Sequence, residues 1–230
     1  MMDANRDRYS FARIAELIVR NTADDADVVI CITGPSCVGK TTFAKLLSQV
    51  FGEHASASVI STDSYLKQMY RGVSSFRKSP KGMLTPDFFD WERLREHIDQ
   101  LRLKAPVKTA CYERGVGWKD VLITPARVLI VEGLFLDSTA AAEFLEYDIM
   151  VKLYAEDSLI GELRTKRDAY YRKTSRVFTR TEAESIHEIK NTLRAYHSYQ
   201  KAPYKSDYLD VLLDADFYGS ITAKSEGWSE

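Results

Sequence analysis

Gly34-Pro35-Ser36-Cys37-Val38-Gly39-Lys40-Thr41 decides the reading of this chain. The spacing is glycine, four residues, glycine, lysine, then serine or threonine, which is that of a phosphate-binding loop. Wrapping an anion needs a backbone that turns tightly and approaches oxygen atoms without a side chain in the way, and Gly34 and Gly39 meet that need. The loop N–H groups then point inward, and the helix that follows adds the positive end of its dipole. Lys40 reaches the β- and γ-phosphates, and the Thr41 hydroxyl suits Mg²⁺. Gly34, Pro35, Ser36, Cys37, Val38, Gly39, Lys40, Thr41 and Thr42 are therefore the expected ATP-phosphate contacts.

The flanks support the loop. Val28-Val29-Ile30-Cys31-Ile32 is a short, β-branched apolar run that predicts a buried strand. Phe43, Leu46, Leu47, Val50 and Phe51 are spaced as one face of a helix. The mechanism needs this strand–loop–helix order.

Composition sets outer limits. A chain of 230 residues with 45% hydrophobic and 28% charged residues is long enough for one well-packed domain with insertions. A formal charge of -1 argues against a nucleic-acid coat or a membrane-surface protein, so neither partner is expected. Cys31, Cys37 and Cys111 form no metal-like pair, which points to a reducing, cytoplasmic compartment, with Cys31 as core filler. Met1 leads into polar residues, and no apolar run approaches a membrane span.

Outward from the loop, residues 5–20 read as an amphipathic helix, and a polar link closes an N-terminal segment over 1–27. The phosphate-loop domain is expected over 28–217, with a polar tail at 218–230. Ser58-Val59-Ile60-Ser61 predicts a second strand that delivers Asp63 at its carboxyl end, where open α/β sheets place ligands. Asp63 is a candidate base for a substrate hydroxyl or a Mg²⁺ organiser; the alternative is a helix cap. Residues 66–90 lack a clear period and read as a surface loop over the site, ending in Pro86-Asp87-Phe88-Phe89-Asp90. Asp90 can cap a helix whose apolar face is Trp91, Leu94, Ile98 and Leu101, which leaves Asp87 for another role. Residues 107–123 predict a hairpin flanked at its turn by Tyr112 and Trp118. These aromatics either stack on a flat ligand or cover the sheet.

Val128-Leu129-Ile130-Val131-Glu132-Gly133 predicts a buried strand that brings Glu132 to the phosphate loop if the sheet is parallel. An acid there can hold Mg²⁺ through water; the plainer alternative is an ion-paired strand end. Tyr147–Leu153 gives another strand, and a helix from about Asp157, with Asp157 as its cap, carries Arg164 and Arg167 on one face. Arg172, Arg176 and Arg180 continue the basic run. This run is either a solvated face or a lid, about 164–181, that stabilises phosphoryl charge. Thr181 with Glu184 forms a capping box for a long helix, and Asp210-Val211-Leu212-Leu213 predicts a last strand. The fold expected is α/β: a mostly parallel central sheet, helices on both faces, a hairpin insertion and an Arg-rich helical lid. No Asn-Lys-x-Asp base-reading motif of GTPases is present, and the chain is short for a motor ATPase.

Taken together, the phosphate loop, Thr62-Asp63-Ser64-Tyr65, Pro86-Asp87-Phe88-Phe89-Asp90, Tyr112-Glu113, Val131-Glu132-Gly133, Arg164 with Arg167-Asp168, and Asp210 to Leu213 resemble the uridine kinases. Those enzymes form one group of phosphate-loop kinases with phosphoribulokinase. The resemblance spans about 28–215. It implies ATP as donor, Mg²⁺ as cofactor, a role in pyrimidine salvage and, as in many uridine kinases, a homo-oligomer. It also implies residue roles: Asp63 as base toward the ribose 5′-hydroxyl near Mg²⁺, with Thr41 and Glu132 completing the metal surroundings. Asp87 would accept bonds from the ribose hydroxyls, Tyr112 would contact the nucleoside, and Arg164 and Arg167 would reach phosphates and substrate.

Two departures bear on the substrate. The His-x-Arg element that helps uridine kinases recognise the pyrimidine is replaced by Gly117-Trp118-Lys119, and the lid's Arg-Gly-Arg-Asp element is absent. Three functions stay open: a uridine or cytidine kinase, a kinase of another small alcohol such as nicotinamide riboside or pantothenate, and a nucleotide-binding regulator without turnover.

Overall fold

The computed structural model describes residues 18, 27–52, 56–70, 84–113, 117–175, 178, 180–199, 201–203 and 207–212. The expected N-terminal helix (apart from Ile18), most of the 66–90 loop, Arg176, Leu213 and the C-terminal tail lie outside the described residues. Strands β1 (Val28–Thr33), β2 (Ala57–Ser61), β5 (Val128–Gly133), β6 (Ile149–Tyr154) and β7 (Asp207–Leu212) form one sheet in the order β2-β5-β1-β6-β7. Every pairing in it is parallel. Strands β3 (Val107–Glu113) and β4 (Gly117–Ile123) make a separate antiparallel hairpin, as the sequence pattern predicts.

The continuous apolar runs follow from burial on both faces of a parallel sheet. Along β1, Val29 and Cys31 enter one core and Val28, Ile30 and Ile32 enter the other. Helix α1 (Lys40–Gly52) covers the second face with Phe43, Ala44, Leu47 and Phe51. Each of the larger side chains contributes about 1.5–3 kcal/mol by leaving water. Helix α2 (Trp91–Arg102) covers the first face with Trp91, Leu94, Ile98 and Leu101. Asp90 caps α2 as expected, its Oδ1 accepting from Arg93 N at 3.2 Å. A short helix α3 (Thr139–Ala142) follows β5.

Helix α4 (Asp157–Thr174) carries Arg164, Arg167 and Arg172, and it packs against α5 (Glu182–Ser198) through ion pairs. The Thr181–Glu184 capping box is present. The expected Asp157 cap is not: Glu156 holds the cap position, no side chain caps the helix, and Asp157 is its first residue, 3.3 Å from His197 Nε2. Carboxylates at either position favour the positive helix end, so the sequence alone does not separate them. Among the described residues no helix is long and apolar enough to cross a membrane.

Candidate active site

The parallel order puts the carboxyl ends of β1, β2 and β5 side by side, and the candidate residues leave from those ends. The phosphate loop leaves β1 at Gly34, whose φ of 148° favours glycine. A Cβ there would collide with the Leu153 carbonyl oxygen at the end of β6. Gly39 (φ 87°) and Cys37 (φ 69°) also take left-handed backbone, which curls the loop around its centre. Lys40 is 8% exposed, and its Nζ donates to the carbonyls of Gly34 at 3.0 Å and Pro35 at 2.8 Å. Burial lowers the pKa of Lys40, while the charges of Glu132 and Asp63 push it back up.

Glu132, next to last in β5, is 3% exposed, and the Thr41 hydroxyl donates to its Oε1 at 3.1 Å. Burial raises the Glu132 carboxyl above its ordinary 4.5; Lys40 and hydrogen bonds from Ser61 and Thr41 oppose that, and Asp63 adds to it. Asp63 lies in a 3-10 turn, Thr62–Tyr65, directly after β2. It is exposed, with its charge bearing on both Lys40 and Glu132. The cap alternative for Asp63 fails, because Ser61 holds the cap position of that turn. The turn lies hard against the end of β5: a Cβ on Gly133 would overlap the Thr62 side chain. Gly133 therefore permits the approach of the Asp63 turn to Glu132.

Arg164 reaches the phosphate loop from α4. Its Nη1 donates to Ser36 Oγ at 3.0 Å and lies 3.8 Å from Cys37 Sγ, and its Nη2 donates to Glu188 Oε1 at 2.7 Å. Asp168, fully buried, accepts from Arg164 Nε at 3.4 Å and Arg167 Nη2 at 3.2 Å and stands 3.6 Å from Arg180 Nη1. Arg180 Nη2 also pairs with Glu188 Oε2 at 2.5 Å. Burial alone would raise Asp168, but Arg164, Arg167 and a bond from Ser185 hold it below the usual carboxylate value. Arg172 instead donates to Ser185 Oγ at 3.2 Å. Arg164, Arg167 and Arg180 are thus organised by two acids, Asp168 and Glu188, rather than presented as a solvated face.

Asp87 and Trp118 stand on separate elements from this cluster. Asp87 is exposed in a 3-10 turn, Pro86–Phe88, whose backbone bonds the segment after Asp63: Lys67 N donates to Phe88 O at 2.9 Å. Trp118, 38% exposed, pairs across the hairpin with Tyr112 through the backbone, and the Tyr112 side chain lies outside the described residues. Sequence reasoning also missed a buried polar knot under the loop. Lys152 Nζ pairs with Asp137 Oδ2 at 2.5 Å, and Thr33 and Tyr199 donate to Asp137 Oδ1. Thr33 immediately precedes Gly34 and pairs with Lys152 in register, so the knot fixes the strand end from which the loop springs.

The donor set at the loop is two carboxylates and a hydroxyl, the hard oxygen chemistry Mg²⁺ takes. Among the described residues no group of three or more acidic, His or Cys side chains forms a protein cage for a metal. A Mg²⁺ that keeps its waters and binds chiefly nucleotide phosphates needs none.

A family model described as phosphoribulokinase/uridine kinase matches residues 29–202. The uridine kinase of Mycoplasma genitalium is 31% identical over 115 residues, 48% of this chain and 53% of that protein. The match thus spans about half the length of that relative. The uridine kinase of Mycoplasma pneumoniae is 30% identical over 147 residues, 61% of this chain and 67% of that protein. Among solved structures, D-glycerate 3-kinase from Cryptococcus neoformans aligns with a TM-score of 0.63 at 12% identity, covering 88% of this chain and 94% of that one, which is a likeness of fold. With its phosphate loop, its parallel sheet and a family match across three quarters of its length, this chain belongs to the phosphoribulokinase/uridine kinase family.

Proposed function

We propose that the chain catalyses ATP-dependent phosphoryl transfer to a nucleoside hydroxyl, with the 5′-hydroxyl of uridine or cytidine as first candidate. The observation that carries this reading is the grouping of Asp63, Lys40, Thr41 and Glu132 at adjacent strand ends around one phosphate loop. A sensor of nucleotide needs the loop; it does not need an exposed carboxylate beside it.

In this reading the loop N–H groups and Lys40 hold the β- and γ-phosphates. Asp63 takes the proton of the acceptor hydroxyl as its oxygen bonds to the γ-phosphorus and the bond to the β,γ-bridging oxygen breaks, releasing ADP. Arg164 and Arg167, held by Asp168 and Glu188, face the charge that spreads over the moving group. Thr41, Glu132 and Asp63 would hold Mg²⁺, which when bound neutralises phosphate charge. Asp87 would accept from sugar hydroxyls and Trp118 would stack on a flat base.

One observation favours a second acceptor class. Gly117 stands where uridine kinases place the pyrimidine-reading His, and a site without that partner loses its means of selecting a pyrimidine. Another small alcohol, such as nicotinamide riboside or pantothenate, then becomes the acceptor on unchanged phosphate chemistry.

The test is acceptor-dependent ADP release with Mg·ATP across uridine, cytidine, adenosine, nicotinamide riboside and pantothenate. Turnover on uridine or cytidine supports the first reading, and turnover confined to the others supports the second. ATP binding with no turnover on any acceptor would favour the regulator.

A further inference from the structure

The two acceptor-side carboxylates ride on one small scaffold. The Thr62–Tyr65 turn carries Asp63 and the Pro86–Phe88 turn carries Asp87. Backbone bonds stitch the two together: Asp90 N donates to Tyr65 O at 2.8 Å, Lys67 N donates to Phe88 O at 2.9 Å, and Leu66 bridges Phe89. Asp63 and Asp87 are themselves exposed, so their placement depends on the buried residues of the turns that carry them.

Tyr65 is the fixing point. Its ring is 1% exposed, and its hydroxyl lies 2.9 Å from His97 Nδ1 on the inner face of α2. The two rings meet edge to face at 5.5 Å. Thr109 of β3, also buried, stands near enough to oppose the rise that burial gives the phenol's pKa. A phenol hydroxyl has both a donor and acceptor capacity, and here it ties the turn to helix α2. Filling the space asks for a ring alone; the hydroxyl adds a fixed direction.

We propose that Tyr65 and His97 are positioning residues that hold Asp63 and Asp87 in register with each other, acting through the stitched turns and never touching substrate. The proposal rests on the kinase reading for its kinetic consequence, whereas the anchoring itself does not.

The experiment uses the full chain with Tyr65→Phe, His97→Leu and His97→Asn, the last because Asn Oδ1 can replace imidazole Nδ1 as hydrogen-bond partner. Amide hydrogen exchange by NMR and steady-state kinetics are read together. Losing one buried hydrogen bond should speed exchange at the Lys67 and Asp90 amides about tenfold in Tyr65→Phe and His97→Leu. Amides of β1 and β5 should stay unchanged, and His97→Asn should restore the slow rates. In the same variants kcat should fall about tenfold at constant KM for ATP, because a shifted base costs transition-state contact and not nucleotide binding. Unchanged exchange at Lys67 and Asp90 overturns the anchor. Faster exchange with wild-type kcat overturns the positioning role and leaves a packing contact. If wild-type protein releases no ADP with any acceptor, the kinase reading falls separately, and the exchange rates still decide the anchor.

Discussion

Gly133→Ala tests the closest approach in the site. A Cβ at Gly133 would overlap Thr62 Oγ1 and sit 2.6 Å from both Thr62 Cβ and Cγ2. Carbon atoms in contact want about 3.5–4.0 Å, so the Thr62 turn must move by roughly 1 Å or β5 must give way. β5 is held between β1 and β2, which leaves the turn as the softer side. The turn carries Asp63, the base in the proposed mechanism, and there a displacement of that size costs about 100-fold in rate. Overpacking together with the φ of 157° should cost about 1–3 kcal/mol of stability. For a chain of this length that is a fall of roughly 2–12 °C in Tm. The assay is kcat for ADP release with a melting curve on the same sample. The double variant Gly133→Ala/Thr62→Gly removes all three colliding atoms and should recover most of the lost kcat, though not the backbone strain. A Gly133→Ala protein with wild-type kcat and Tm would refute the claimed proximity of the Asp63 turn and the end of β5.

Other consequences follow from particular contacts. Lys152→Met strands the buried Asp137 carboxylate, which should cost about 3–5 kcal/mol, read as a Tm drop of roughly 6–20 °C; a shift under 1 °C would show the pair to be energetically idle. The folded-state pKa of Asp168 is depressed, so its stabilising contribution is present above the ordinary value of 3.8 and is lost as pH falls through the folded pKa. The urea-midpoint gap between wild type and Asp168→Asn should therefore be wide at neutral pH and should narrow below pH 3.8. A gap independent of pH would contradict the assigned ion pairing. Trp118→Ala should raise KM for a base-bearing acceptor about fivefold or more while leaving KM for ATP alone; an untouched acceptor KM would remove the hairpin from acceptor recognition.

Much of this was legible in the sequence because local patterns carried it. The strand–loop–helix unit, the β-branched runs of β1 and β5, the Asp90 cap and the Thr181 capping box each depend on neighbours a few residues apart. Asp63 and Glu132 were placed correctly at strand ends because parallel sheets put ligands there. The lost information is long-range. Lys152 reads as an intruder in an apolar strand, and its partner Asp137 becomes visible only once β6 lies beside β1. His97 has helical spacing with Leu94 and Leu101, yet nothing local names Tyr65 as its partner. The lid reading counted arginines, quoted Asp168 only as Arg167's neighbour and passed over Glu188; these two acids pair with Arg164, Arg167 and Arg180. The i,i+4 spacing of Arg164 and Asp168 was the available signal.

The central claim is that Asp63 is the base beside a loaded phosphate loop. Its most direct test is single-turnover phosphoryl transfer from Mg·ATP by wild type and Asp63→Asn, with ATP affinity measured on both. The account predicts a transfer rate lowered by about 100-fold or more with ATP affinity unchanged. Transfer at the wild-type rate in Asp63→Asn would contradict it.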